Sequence, residues 1–122
     1  MVSYLRNFGW DVTGKESMSF QGVDVVAFKY PNRVALLESK HAKNLGQADL
    51  DKAKGEISGE QLRKMRDSCA RRFQAFHPTG LVEVVAAVKF PYRGWRFHLV
   101  TAEDYEKIFL VIYAKDPDTW NP

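Results

Sequence analysis

The stretch GVDVVAFKYPNRVALLESKHAK, residues 22–43, constrains this chain most. Two short apolar runs flank a Tyr-Pro-Asn turn, which predicts two strands folded back on each other. Apart from Lys29 and Arg33 at the turn, charge sits at the far ends: Asp24 heads the first run, and Glu38-Ser39-Lys40 closes the second. Strands this apolar need cover on their faces, so the rest of the chain must supply helices or further strands to bury them.

The remaining sequence supplies both. VSYLRNF reads as the end of a helix stopped by Gly9, WDVT as a short strand and GKESMSFQG as a loop. Residues 43–59, KNLGQADLDKAKGEISG, are polar and glycine-bearing, and read as loop with room for one helical turn. The clearest helix is SGEQLRKMRDSCARRFQAF, where Ser58 and Gln61 form a capping box. Leu62, Met65, Cys69, Phe73 and Phe76 follow at spacings of three and four, which lines one apolar face. LVEVVAAVKF and WRFHLV read as a strand pair joined by PYRG, with Trp95 and Phe97 on one face. Thr101 with Asp104 predicts a last helix over AEDYEKIF, and LVIYAK is either a final strand or its continuation. Residues 115–122 read as a loosely attached tail. The order α, β, β, β, α, β, β, α predicts one domain over 1–122, an α/β fold with a central mixed sheet flanked by helices.

Side chains two apart on a strand share a face, so Glu38 and Lys40 point together and Ser39 points away. Asp24 starts the neighbouring strand and falls near Glu38 if the register fits. Two carboxylates held together repel each other, and a divalent cation removes that cost. Mg²⁺ suits such a site, because it takes a few carboxylate or carbonyl oxygens and completes its shell with water. Asp24, Glu38 and the Ser39 carbonyl are the expected ligands, with Lys40 placed to orient a water or steady the charge on a phosphate.

Together with the Val23-Asp24 and Glu38-Ser39-Lys40 motifs, GEQLRKMRDSCARRF and AAVKFPYRGWRFHLV extend the pattern over roughly residues 5–100. In this the chain resembles the PD-(D/E)XK nucleases, and within them the archaeal-type Holliday-junction resolvases. The resemblance implies a restriction-endonuclease-like fold and Mg²⁺-dependent hydrolysis of DNA at four-way junctions, with Mn²⁺ as a substitute. It implies Asp24 and Glu38 as metal ligands, Lys40 as the catalytic lysine and Gln61 as a supporting catalytic residue. Ser19 lies near a family serine, and Lys15 is the cation nearest the place of a family arginine. The family's glutamate on the first helix has no counterpart, since no acidic residue precedes Asp11. That implies either a chain that continues upstream or a site without this ligand. A four-way junction has near two-fold symmetry, so paired cuts call for a homodimer, with Phe90, Tyr92 and Trp95 as its expected contacts.

Charge agrees with a nucleic-acid partner without requiring one: 18 Lys and Arg against 15 Asp and Glu give +3 and a pI near 9.0. Lys43, Lys52 and Lys54 border the Glu-x-Lys triplet and are the expected phosphate contacts, beside Lys15 and Ser19. The helix cations Arg63, Lys64, Arg66, Arg71 and Arg72 read equally as a solvated face. His41, His77 and His98 show no ligand spacing, and Cys69, the only cysteine, excludes an internal disulfide. No apolar run approaches the roughly 18 residues of a membrane span, and the first ten residues lack the apolar centre of a signal peptide. The expected setting is cytoplasmic. Three functional expectations stand: a junction-cutting endonuclease, a catalytically impaired DNA-binding module on the same fold, and a nuclease of the superfamily acting on other DNA.

Overall fold

The computed structural model describes residues 1–13, 23–42, 52–76 and 78–122. Five strands form a mixed sheet in the order β1 (Asp11–Thr13), β2 (Val25–Lys29), β3 (Arg33–His41), β5 (Leu81–Phe90) and β6 (Gly94–Leu99). All neighbours are antiparallel except β3 and β5, which run parallel from Arg33↔Leu81 to His41↔Lys89. The predicted β2–β3 hairpin forms around residues 30–32, with Lys29 paired to Arg33.

Continuous apolar runs in the central strands reflect cover on both faces. Val34 and Leu36 of β3 pack with Val84, Ala86 and Val88 of β5 in one core, while Ala35, Leu37, Val85 and Ala87 enter the other. The first core is closed by a long helical segment and by a small ribbon of β4 (Lys54–Ser58) and β7 (Phe109–Tyr113). The second is closed by α1 (Val2–Asn7), Trp10 and Trp120.

The long helix starts where expected: the Ser58 hydroxyl accepts the Gln61 amide at 3.1 Å. It is not uniform. α2 (Gly59–Met65) passes through a π-helical turn over Arg66–Ala70 into α3 (Arg71–Phe76). Leu62, Met65, Cys69 and Phe73 are buried as predicted, whereas Phe76 is 77% exposed. The wider π turn delays every later residue relative to the apolar stripe, and Phe76 rotates off it.

Three other expectations are corrected. Residues 54–58 form a strand rather than loop, because Gly55 and Ile57 are buried between half-exposed Lys54, Glu56 and Ser58. The expected last helix is a single 3₁₀ turn, Asp104–Glu106, and the following apolar run is β7, drawn into register by β4. The C-terminal tail is docked. Asp118 Oδ1 accepts the Phe97 amide at 2.9 Å, the Thr119 amide donates to the Phe97 carbonyl at 3.0 Å, and the Thr119 hydroxyl accepts the Leu99 amide at 3.0 Å. The tail thereby occupies the outer edge of β6 and seats Trp120, 3% exposed, in the second core.

At the hairpin end, Arg33 grips Glu83 with Nε–Oε2 at 3.2 Å and Nη2–Oε1 at 3.0 Å, and lies 4.8 Å from the Trp10 ring centre. The Arg33 Nη2 also donates to the Asn121 carbonyl. These bonds tie β3, β5 and the tail together at the end of the sheet opposite the Glu38-Ser39-Lys40 triplet.

Candidate functional site

β3 is buried from Val34 to Glu38 and emerges over the next three residues. Its two neighbours end differently there. β5 continues beside it through Ala86, Ala87 and Val88, whereas β2 begins only at Val25, opposite Leu37. On that side Asp24 takes the place of a backbone partner: its Oδ2 accepts the Ser39 amide at 3.0 Å and the Ser39 hydroxyl at 3.1 Å. Ser39 alternates to the face opposite Glu38 and Lys40, and its hydroxyl is bound to Asp24. In an extended strand a residue's N–H and C=O point to the same side, so the Ser39 carbonyl also faces the flank where Asp24 lies.

Alternation along β3 puts Glu38 and Lys40 on the face of Val34 and Leu36, beneath α2 and β4. Glu38 is 7% exposed, Lys40 is exposed, and Lys40 Nζ lies 3.9 Å from Glu38 Oε1. A carboxylate this buried is costly unless a cation or hydrogen bonds compensate it, and Lys40 is one such partner.

Beyond Lys40 a cleft of about 310 Å³ opens between the end of β3 and the β4–β7 ribbon, lined by Lys40, His41, Lys54, Glu56 and Phe109. The ribbon sits close because Gly55 lies on Val88 of β5, where a Cβ would overlap the valine methyls. Lys54 Nζ is 3.1 Å from Glu56 Oε1, and that hydrogen bond and charge hold the lysine above its ordinary range. A larger cavity of about 420 Å³ lies at the hairpin turn, around residues 28–34, Thr79 and Gly80, and contains none of the residues selected from sequence.

The structure therefore joins Asp24 to Ser39, Glu38 to Lys40, and Lys40 to Lys54 across one cleft. Lys52 is exposed just before β4. Gln61 sits half-buried in the first turn of α2 and is not among the cleft's lining. Lys15, Ser19, Lys43 and His77 lie outside the described residues. Among the residues expected at a dimer contact, Phe90 is corrected: it is 1% exposed, its ring packed in the first core of its own chain. Tyr92 is 87% exposed at the β5–β6 turn, and Trp95 is half-buried against Phe97.

Sequence reading missed Glu56 and Phe109. For Glu56 the signal was present: Lys-Gly-Glu-Ile-Ser alternates polar and small or apolar over five residues, the period of a half-buried strand. Phe109 had no such signal, since only pairing with β4 settles which way β7 faces.

Oxygen donors of the kind Mg²⁺ takes are present in Asp24, Glu38 and the Ser39 carbonyl. Among the described residues no group of three His, Cys, Asp or Glu side chains gathers tightly enough to hold a metal alone. A cation here would keep several waters, which is the usual state of Mg²⁺ on one or two carboxylates. The first helix, α1, contributes no acidic residue, and it packs on the other face of the sheet with Leu5 in the second core. Among the described residues no helix is long and apolar enough to cross a membrane. No protein-family model matches this chain, and no curated protein matches it.

Proposed function

We propose that the chain is a metal-dependent endonuclease of branched DNA, resembling the Holliday-junction resolvases of the PD-(D/E)XK group, with a restriction-endonuclease-like reading of its mixed sheet. The observation that carries this is the end of β3. There the buried Glu38 lies beside the exposed Lys40, Asp24 is bound to the intervening Ser39, and the strand opens into a cleft lined by Lys40 and Lys54.

Asp24, Glu38 and the Ser39 carbonyl would hold Mg²⁺, or Mn²⁺ in its place. When bound, the ion supplies Lewis-acid polarisation of the phosphodiester. The chain's own residues do the rest. The two Ser39 hydrogen bonds fix the Asp24 carboxylate against rotation. Lys40 directs an attacking water and offsets charge on the phosphate. Lys54 and Lys52 draw the backbone into the cleft without reading bases. Gln61 is assigned a supporting place on α2 by the resemblance alone. A homodimer in a DNA-containing cytoplasm completes the proposal.

Cleavage of a synthetic four-way junction in Mg²⁺, beside a linear duplex, tests it. Wild-type protein should release paired nicks from the junction. Glu38→Ala and Lys40→Ala should lose cutting and keep junction binding within a few-fold. Wild-type cutting by either variant would refute the assignment.

A second reading has its own support: the α1 helix lacks an acidic residue, and among the described residues no three His, Cys, Asp or Glu side chains gather to hold a metal. On that reading the protein binds branched DNA and does not cut it. Junction binding with no cleavage in Mg²⁺ or Mn²⁺ distinguishes the two.

A further inference from the structure

We propose that Phe109 is a base-stacking residue of the cleft: an unpaired nucleotide lies on its ring while Lys40 and Lys54 meet the neighbouring phosphates. The inference deepens the proposed function and rests on DNA being the ligand of this cleft.

Exposed aromatic side chains need no explanation when scattered singly. Phe109 differs in three respects. It shares one cleft with Lys40, His41 and Lys54, so an apolar ring and three side chains capable of positive charge converge there. It is 52% exposed, which leaves ring surface available to a ligand. Its backbone is held at the junction of β4 and α2: Ser58, the residue that caps α2, is its partner across the ribbon, and the Gly59 amide donates to the Ile108 carbonyl at 2.8 Å. Gly59 itself is pressed against the Lys107 carbonyl, with no space for a Cβ. The ring is thus presented from a backbone that has already lost its freedom, so little further ordering is needed when a base binds.

The outward face of β7 continues the same surface. Phe109, Val111 and Tyr113 alternate outward, and Tyr113 is the direct partner of Lys54. Aromatic rings interleaved with lysines on an exposed sheet face are what sequence-independent binding of a single strand requires: bases stack on rings, and phosphates meet cations. Glu56 lies in the cleft as well, 3.1 Å from Lys54, so a phosphate there takes Lys54 from that exposed pair. A duplex keeps its bases stacked on one another and cannot use Phe109 in this way. The residue therefore favours DNA with unpaired bases, as at a branch point or a frayed arm.

Fluorescence anisotropy with a labelled oligothymidylate and a labelled duplex, in EDTA at low salt, tests this without reference to cleavage. Phe109→Ala should weaken single-strand binding about tenfold, in the range stacking contacts supply. It should leave duplex binding and the salt slope unchanged, because no phosphate contact is lost. Phe109→Tyr should restore single-strand binding to near wild type. Three outcomes overturn the inference: wild-type protein that binds no single strand, Phe109→Ala that binds like wild type, or an equal loss on duplex. If Phe109→Ala instead changes only the sedimentation of the protein, the face is a contact between copies and the inference falls. Loss of stacking in protein that never cuts a junction would uphold the stacking residue and defeat the nuclease.

Discussion

Asp24 and Ser39 are joined twice: one carboxylate oxygen of Asp24 accepts both the amide and the hydroxyl of Ser39, at 3.0 and 3.1 Å. The pair stands where β2 has not yet begun and β3 still needs an acceptor. Removing one side of it has unequal consequences. Ser39→Ala deletes the hydroxyl bond and keeps the amide bond, at an expected cost of about 1 kcal/mol. Asp24→Ala strips the acceptor from both donors and should cost roughly 2 kcal/mol. Urea unfolding of the two variants checks the order, and equal losses would mean that the hydroxyl bond carries the whole effect.

Asp104 gives a pH dependence. Burial pushes its carboxyl up, but the Thr101 amide at 2.9 Å, His98 Nε2 at 2.7 Å and Lys107 Nζ at 2.9 Å outweigh burial and hold it well below the usual aspartate value of 3.8. A depressed carboxyl stabilises the fold above its unfolded value, and that stability is lost as pH falls toward the folded one. Denaturation midpoints should therefore drop as pH is lowered from about 5 to 2. Asp104→Asn should be less stable at pH 7 and show a shallower acid slope. Parallel slopes for the two proteins would assign the acid dependence to other carboxyls, such as Asp67, which Arg66 also holds low.

Gly55 and Val88 set how closely the β4–β7 ribbon sits on the main sheet. Alanine normally strengthens a strand relative to glycine. Here Gly55→Ala should destabilise by about 1–3 kcal/mol, because its methyl meets the Val88 side chain. In a Val88→Ala background the penalty should shrink by at least about 1 kcal/mol, the coupling expected of residues in contact. Chemical denaturation of the four proteins closes the cycle, and additive losses would place the strain elsewhere.

Trp120 makes the tail part of the fold. Its ring lies 5.4 Å from that of Trp10 and 5.5 Å from that of Phe97. Trp120→Ala should cost about 3–5 kcal/mol, as for other buried aromatic residues. It should also raise hydrogen exchange at the Phe97 and Leu99 amides, whose acceptors are Asp118 and Thr119. A surface-like change in thermal midpoint would return residues 115–122 to the loose tail expected from composition.

Lys54 predicts a salt effect on the proposed DNA binding. If it meets one phosphate, Lys54→Ala should lower the slope of log affinity against log salt by about one unit. Titration of a duplex at several salt concentrations measures this, and an unchanged slope would remove Lys54 from the DNA surface.

Much of the candidate site was legible locally. Strand periodicity alone pairs Glu38 with Lys40 and places Asp24 on the neighbouring strand, because the turn at residues 30–32 lies between them. Its charge and position beside the triplet make Lys54 an expected phosphate contact, but as part of a loop. Its strand forms because β7, more than fifty residues later, pairs with it from Lys54↔Tyr113 to Ser58↔Phe109. Glu56 and Phe109 enter the cleft by the same pairing. Phe90 was misplaced for a related reason: its alternation on β5 was readable, but which face the helix covers was not.

By itself the sequence determined the elements whose signals lie within a few residues: the hairpin, the capped helix, the β5–β6 pair and the charged end of β3. Periodicity and turn chemistry are local properties, and they survive any arrangement of the rest. Tertiary structure decided the β4–β7 ribbon, the π turn that frees Phe76, the docking of Trp120 and the cleft beside Lys40. Each depends on surfaces meeting across a long sequence separation, where packing and pairing override what a short window of residues prefers.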